Sequence, residues 1–250
     1  MTAVPLEGLP EVTPGTDLGD VISTVLASGP ALEQMRSGDI LVIAHKVVSK
    51  AEGRLRSLTE VVPRARAVEL AGGRDPRLVQ VVLDETREIV RATPAVIVCE
   101  THHGFVCANA GVDRSNVPGE DTVVLLPLDP DASARAIRAR LRELTGVAPG
   151  IVITDSFGRA WRSGQSDVAI GLAGVAALDD WRGRADADGR EMRATVIAVA
   201  DLLAATADLA RRKDAAQPVV LIRGAEEYVT DDDGPGVRPL LRERSQDLFR

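Results

Sequence analysis

The sequence predicts a mixed α+β fold, with mixed and antiparallel sheets against packed helices in two intimately associated subdomains. Three observations predict it. Apolar runs of strand length alternate irregularly with amphipathic helical segments, a hairpin pattern sits mid-chain, and 250 residues of which 45% are hydrophobic suffice for one large core. The strict alternation that marks a purely parallel doubly wound sheet is missing. The expected organisation is a single domain over residues 1–250, with a tail from about residue 231 loosely packed because of its Asp231-Asp232-Asp233-Gly234-Pro235-Gly236 run.

The elements follow in order. Asp17 opens a helix with Leu18, Val21, Ile22, Val25 and Leu26 on one face, stopped by Gly29-Pro30. Ser37-Gly38-Asp39 turns into the strand 40–44, a continuous apolar run that delivers His45, Lys46, Ser49 and Lys50 to its far end. Asp75-Pro76 starts a second helix, with Leu78, Val81, Val82 and Ile89 expected on one face. Residues 95–99 and 105–107 flank the polar turn 101–104 as a hairpin. A strand at 122–126 precedes a helix from Pro130-Asp131 carrying Ile137, Leu141 and Leu144. The strand 151–153 leads into a polar loop and a small-residue run at 169–177. A long helix is expected over 189–212 from Met192, Val196, Val199, Leu202, Leu203 and Leu209, and a last strand over 218–222.

Composition excludes several function classes. Aromatic residues make up 2% of the chain, so the stacking platforms of single-strand nucleic-acid binders are nearly absent, and a net charge of -7 disfavours a phosphate-backbone partner. No nucleic acid is therefore expected as partner. The sequence begins without a basic segment followed by an apolar core, and no apolar run reaches membrane-spanning length, so a cytoplasmic protein without membrane association is expected. The two cysteines, Cys99 and Cys107, lie in apolar strand-like runs with no Cys/His cluster around them, and buried reduced thiols are expected. Trp161 and Trp181 are expected to be buried.

Chemistry concentrates in three segments. In the first, Thr154-Asp155-Ser156 ends an apolar strand and opens a loop with Arg159, Arg162, Gly158 and Gly164. Such a loop suits a hard divalent cation together with phosphate, because carboxylate and hydroxyl oxygens ligate the cation and Arg supplies planar donors. In the second, Asp113-Arg114-Ser115-Asn116 also leaves a strand. Its plain reading is an Asx-stabilised turn; beside Asp155, Asp113 becomes the second carboxylate that a nucleotide-bound cation needs. In the third, Lys46 and Lys50 can reach phosphate as point charges, or occupy a solvated turn. Neither a GxxxxGK[ST] loop nor a GxGxxG opening is present, and no GxSxG elbow. His102 and His103 are adjacent, point to different sides, and read as a surface turn.

Together these segments resemble a known family. The texts Val47-Val48-Ser49-Lys50-Ala51-Glu52-Gly53, 103–116 and 153–171 are similar to the coenzyme F420-0:L-glutamate ligases, as are Glu7-Gly8-Leu9-Pro10-Glu11-Val12 and Asp188-Gly189-Arg190-Glu191-Met192-Arg193. The resemblance runs from about Val4 to about Gly224. It implies an F420 ligase-like fold and a GTP-dependent enzyme that adds L-glutamate through gamma linkages to coenzyme F420-0, with an acyl phosphate on the way. It also implies a homodimer whose sites lie near the subunit boundary. The sequence reads to Arg250 without the nitroreductase-like C-terminal domain that some actinobacterial members carry, so any reductase step is expected elsewhere.

Residue by residue, the resemblance places Leu9, Pro10, Glu11, Val12, His45, Lys46, Lys50 and Asn116, with Lys213 more weakly, at GTP-binding positions. Asp113, Asp155 and Ser156 would hold two divalent cations, magnesium or manganese, with potassium as a further ion. Members carry Thr where Ser156 stands, which keeps the hydroxyl, and Ser or Gln where His45 stands, which changes the group. Asp155, Lys50 and Arg159 are the expected catalytic residues, Arg159 or Arg162 offsetting charge on the transferred phosphoryl group. Asp167 and Glu191 are candidates for the base that takes the glutamate amine proton. Two other readings of the same residues are a metal-dependent nucleotide phosphohydrolase and a non-catalytic GTP-binding protein.

Overall fold

A computed structural model describes residues 1–29, 34–117 and 119–249. In chain order the elements are β1 (Thr2–Pro5), α1 (Leu18–Ser28), β2 (Ile40–Ala44), α2 (His45–Ala51), β3 (Leu55–Ser57), α3 (Ala65–Leu70), α4 (Pro76–Asp84), β4 (Thr86–Ala92), β5 (Ile97–Thr101), β6 (Val106–Ala108) and β7 (Thr122–Val124). There follow α5 (Pro130–Thr145), β8 (Gly150–Arg159), β9 (Arg162–Ala173), β10 (Asp179–Asp180), β11 (Val196–Ile197), α6 (Val199–Ala210) and β12 (Val219–Arg223). The fold is α+β. Its main sheet has the order β1-β12-β2-β8-β9, in which β2 and β8 are parallel and every other pair antiparallel. The large core packs around this sheet, and two smaller apolar clusters form beneath α3, α4, β5 and β7.

Local chemistry explains most boundaries. The side chain of Asp17 accepts the Asp20 amide and caps α1, and Asp75 and Asp129 cap α4 and α5, each followed by Pro at the first helical position, where a missing N–H costs nothing. Pro30, the expected stop for α1, lies outside the described residues; Gly29 closes the helix with its amide on the Val25 carbonyl. The strand 40–44 and the hairpin β5–β6 form as the apolar runs predict, with Cys99 and Cys107 facing each other across the hairpin as buried free thiols. Burial pushes the Cys107 thiol well above its ordinary value. Close approach of α5 to β9 requires Gly171, where a Cβ would come within 2.6 Å of Pro130.

Five expectations are corrected. Ile89 belongs to β4, not to the helix before it, because α4 ends at Asp84. The polar loop after residue 153 is a long antiparallel hairpin, β8–β9, whose paired backbones satisfy each other although its outer side chains are polar. The helix expected over 189–212 begins only at Val199. Before it, the carboxylate of Asp186 accepts the Asp188 and Arg190 amides, and Gly189 takes φ 81°, so a local turn defeats the helical spacing of Met192 and Val196. Trp161 is 86% exposed at the hairpin turn with φ 63°, its ring against Phe249, and is not buried. The tail is docked in its first part: Asp233 pairs with Arg138 at 2.8 Å, and the Asp131 carboxylate accepts the amide of the buried Val237 at 3.0 Å. Among the described residues no helix is long and apolar enough to cross a membrane.

Candidate functional site

One edge of the main sheet gathers the chemistry. β2 and β8 run parallel with Ala44 opposite Thr154, so the next residues along both strands, His45 and Asp155, emerge side by side. His45 Nε2 lies 3.3 Å from Asp155 Oδ1. β12 runs antiparallel to β2, and the Ala44 amide donates to the Pro218 carbonyl at 2.8 Å, which brings the turn 211–217 to the same edge. β1 in turn pairs with β12, and the Leu6 amide donates to the Val219 carbonyl at 2.8 Å, leading the chain to Leu9. A bulge helps: Ile153 pairs with Gly171 but Thr154 with Ala169, so Ile170 is the extra residue that re-aims the strands just before Asp155.

These segments enclose a cavity of about 540 Å³. Leu9, Pro10, Glu11, Val12, His45, Lys46, Lys50, Asn116 and Lys213 line it, as do Asp155 and Ser156. The two lysines sit on α2, which starts directly at the end of β2, and so are not in a solvated turn. Lys50 is buried and its ammonium meets Glu11 Oε1 at 2.6 Å. Lys46 reaches across to Asp113 Oδ2 at 2.6 Å and to the Ser115 hydroxyl. Asp113 itself does not line the cavity; it stands beside it, joined through Lys46. Burial alone would raise the Asp113 carboxyl, but the Lys46 ammonium and the Ser115 amide and hydroxyl hold it below its ordinary value. The loop that carries it is fixed by Asn109, whose side chain accepts the Ile97 amide at 3.1 Å while Asn109 and Ala110 both adopt left-handed backbone.

The structure gives Asp167 a setting different from that of a base and adds Arg211 and Arg212, which the sequence reading did not assign. Asp167, opposite Ser156 in the β8–β9 register, is buried and accepts from Ser156 Oγ at 2.6 Å and Thr154 Oγ1 at 3.0 Å. The guanidinium of Arg211 is ion-paired with it, and Lys213 stands 3.5 Å away. Burial works to raise this carboxyl, and the Arg211 charge, the Ser156 hydroxyl and the Lys213 charge outweigh it, so its value is lowered. Lys213 also donates to Ser156 Oγ at 3.1 Å and pairs with Asp208 at 2.6 Å. Arg211 and Arg212 both line the cavity. Their signal in the sequence was a cationic stretch between a helix and an apolar strand, readable as a site only once that strand is known to lie beside β2.

Other expected residues are not brought together. Arg159 lies near the hairpin tip, exposed, with its guanidinium on the Ser163 carbonyl at 2.9 Å, and does not line the cavity, because the polar segment extends as paired strands where a loop would have folded back. Asp167 is a poor base, since an ion-paired carboxylate with a lowered pKa has little affinity for a proton. Glu191 is exposed and also outside the cavity. His102 and His103 diverge as expected, His103 Nε2 donating to the Pro127 carbonyl at 2.8 Å and His102 Nε2 meeting the Asp84 carbonyl at 3.2 Å. Among the described residues there is no group of three or more His, Cys, Asp or Glu side chains gathered for a metal ion.

With cationic, carboxylate and hydroxyl groups converging on one pocket, comparison with known proteins becomes informative. Residues 8–224 match the F420-0:gamma-glutamyl ligase family. The coenzyme F420:L-glutamate ligase of Methanopyrus kandleri is 48% identical over 99% of this chain and 96% of the relative. That of Methanothermobacter thermautotrophicus is 44% identical over 100% of this chain and 99% of the relative, and that of Methanocaldococcus jannaschii 43% over 92% and 90%. The chain therefore belongs to the F420-0:gamma-glutamyl ligase family and is an enzyme of the ligase class.

Proposed function

We propose that this enzyme joins L-glutamate to coenzyme F420-0 at the expense of GTP, giving F420-1 and longer gamma-linked forms with GDP and phosphate. The names of its full-length relatives support the substrates. The observation that carries the reading within the chain is the parallel register of β2 and β8, which sets Lys46, Lys50 and Asp155 around one cavity.

Amide formation needs an activated carboxylate. The acceptor carboxylate attacks the gamma-phosphorus of GTP, breaking its bond to the bridging oxygen and releasing GDP; the glutamate amine then displaces phosphate from the acyl phosphate and gives up a proton. Phosphoryl transfer of this kind is catalysed mainly by positioning and charge neutralisation. Lys46, Lys50 and Lys213 are placed to hold the phosphates, with Arg211 and Arg212 adding positive charge beside them. Leu9, Pro10, Val12 and Asn116 frame the remainder of the nucleotide.

Asp155 and Ser156 would hold magnesium or manganese at the cavity wall, and Asp113, whose two oxygens are engaged by Lys46 and Ser115, would join them by giving up the Lys46 contact. Their oxygens are the hard donors such ions take, and since the described residues gather no set of three or more His, Cys, Asp or Glu side chains, phosphate oxygens would complete the coordination. The Ser156 hydroxyl fits this role because Asp167 and Lys213 fix its position. Bound there, the ions would withdraw charge from the transferred group.

Incubation with F420-0, GTP, glutamate and manganese, followed by mass spectrometry, is expected to show a ladder of glutamyl adducts. GDP release that needs neither glutamate nor F420-0 would instead favour the phosphohydrolase, and GTP binding without turnover the non-catalytic reading. Size measurement in solution tests the homodimer.

A further inference from the structure

The roles given above use the oxygens of Asp155 and leave its neighbour unexplained. His45 is 1% exposed and borders the cavity. Its Nδ1 lies 3.2 Å from the buried Ser49 Oγ, one helical turn along α2. Its other nitrogen, Nε2, is buried without a hydrogen-bond partner, although Asp155 Oδ1 is only 3.3 Å away. The ring N–H direction misses that oxygen. A buried polar atom left unpaired costs on the order of 1–3 kcal/mol, so a nitrogen held this way asks for a missing partner.

The geometry specifies the partner. When Nδ1 donates to Ser49 Oγ, Nε2 presents a lone pair, and the carboxylate facing it is also an electron-pair donor. Two donors facing each other across a cavity wall are reconciled by a cation between them. Nitrogen and oxygen ligands each about 2.1 Å from a metal stand roughly 3 Å apart at neighbouring octahedral positions, close to the observed 3.3 Å. Orientation of the ring by a hydrogen bond at the far nitrogen is the usual support for a metal-bound imidazole.

We propose that His45 Nε2 is a nitrogen ligand of the cation that Asp155 holds. The inference rests on the metal reading above and deepens it: an imidazole in the set favours first-row transition ions, with manganese at the weak end of their affinity series, over magnesium, which takes oxygen donors. The alternative for Nε2, donation to a nucleotide phosphate, leaves the metal with oxygen ligands only.

The test is pulsed electron paramagnetic resonance on the full chain grown with 15N-labelled histidine and loaded with Mn2+ and unlabelled GDP. The expected spectrum shows 15N coupling to manganese from the labelled ring. The coupling should vanish in His45→Gln, with Mn2+ affinity falling about tenfold or more and Mg2+ affinity less than about threefold. The wild-type spectrum alone decides the matter should the variant fold poorly. Bound manganese without 15N coupling overturns the ligand assignment and leaves the metal reading standing. Absence of any bound manganese in the presence of GDP overturns both.

Discussion

Asp155 and Asp167 lie on the two strands of one hairpin, near a single cavity, and the chain treats them in opposite ways. Asp167 is 2% exposed and both of its oxygens are engaged, by two hydroxyls, a guanidinium and an ammonium. Asp155 accepts the Ser156 amide at 2.8 Å and faces a histidine nitrogen that makes no hydrogen bond. A carboxylate with a complete set of donors has little left for a ligand and acts as a strut tying β8, β9 and the turn after α6. One with capacity to spare, at the wall of a pocket, is ready for a cation or substrate. Proximity to the cavity therefore does not identify the working acid; unfilled coordination does.

The largest test of that contrast is Asp155→Asn. It should lower the glutamylation rate by about 10³-fold while moving the thermal midpoint by no more than about 2 °C. A full-rate variant would remove Asp155 from the reaction, and a large loss of stability would erase its difference from Asp167. Next in size, Arg211→Met leaves the buried Asp167 charge without its main partner and should cost about 3 kcal/mol in urea unfolding. Adding Asp167→Asn to that variant should recover part of the loss, since the stranded charge is then gone.

A third test uses pH. The folded-state pKa of Asp167 lies below its ordinary value of 3.8, and that of Asp113 likewise. Each contributes stability that is fully present above the ordinary value and is lost as pH falls through the lower folded one. Unfolding midpoints should thus drop below about pH 4 in the wild type, and Asp167→Asn should flatten that part of the profile. The smallest expected effect belongs to Arg159→Ala, at the hairpin tip: kcat/KM should change by less than about threefold, under ~0.7 kcal/mol. A loss of 10²-fold would return Arg159 to the catalytic set.

Much of the fold was legible from local signals. Asp17, Asp75 and Asp129 mark helix starts through backbone amides only a few residues away, and the run 40–44, too short for a helix and entered from a Ser-Gly-Asp turn, reads as the buried strand it forms. Where two local signals compete, periodicity misleads: Met192 and Val196 fit a helix, yet the Asp186 carboxylate and Gly189 hold the chain in a turn. The hairpin β8–β9 was hidden for a different reason. Its outer residues are polar because they leave the core, and polarity alone does not separate a loop from a ribbon whose hydrogen bonds are made between its own strands.

The candidate site divides along the same line. Asp113, Asp155, Ser156, Lys46, Lys50 and the 9–12 segment could be picked out by residue type, by their place after apolar runs and by family likeness. What tertiary structure alone decided is which of them meet. The β2–β8 register, set by two apolar strands pairing in parallel, put His45 against Asp155 across 110 residues of chain. The antiparallel return of β12 carried Arg211 onto Asp167, and pairing within the hairpin drew Arg159 away. A sequence determines local geometry because its interactions span a few residues. Partnership between distant charges depends on strand register, which is fixed by the packing of the whole core.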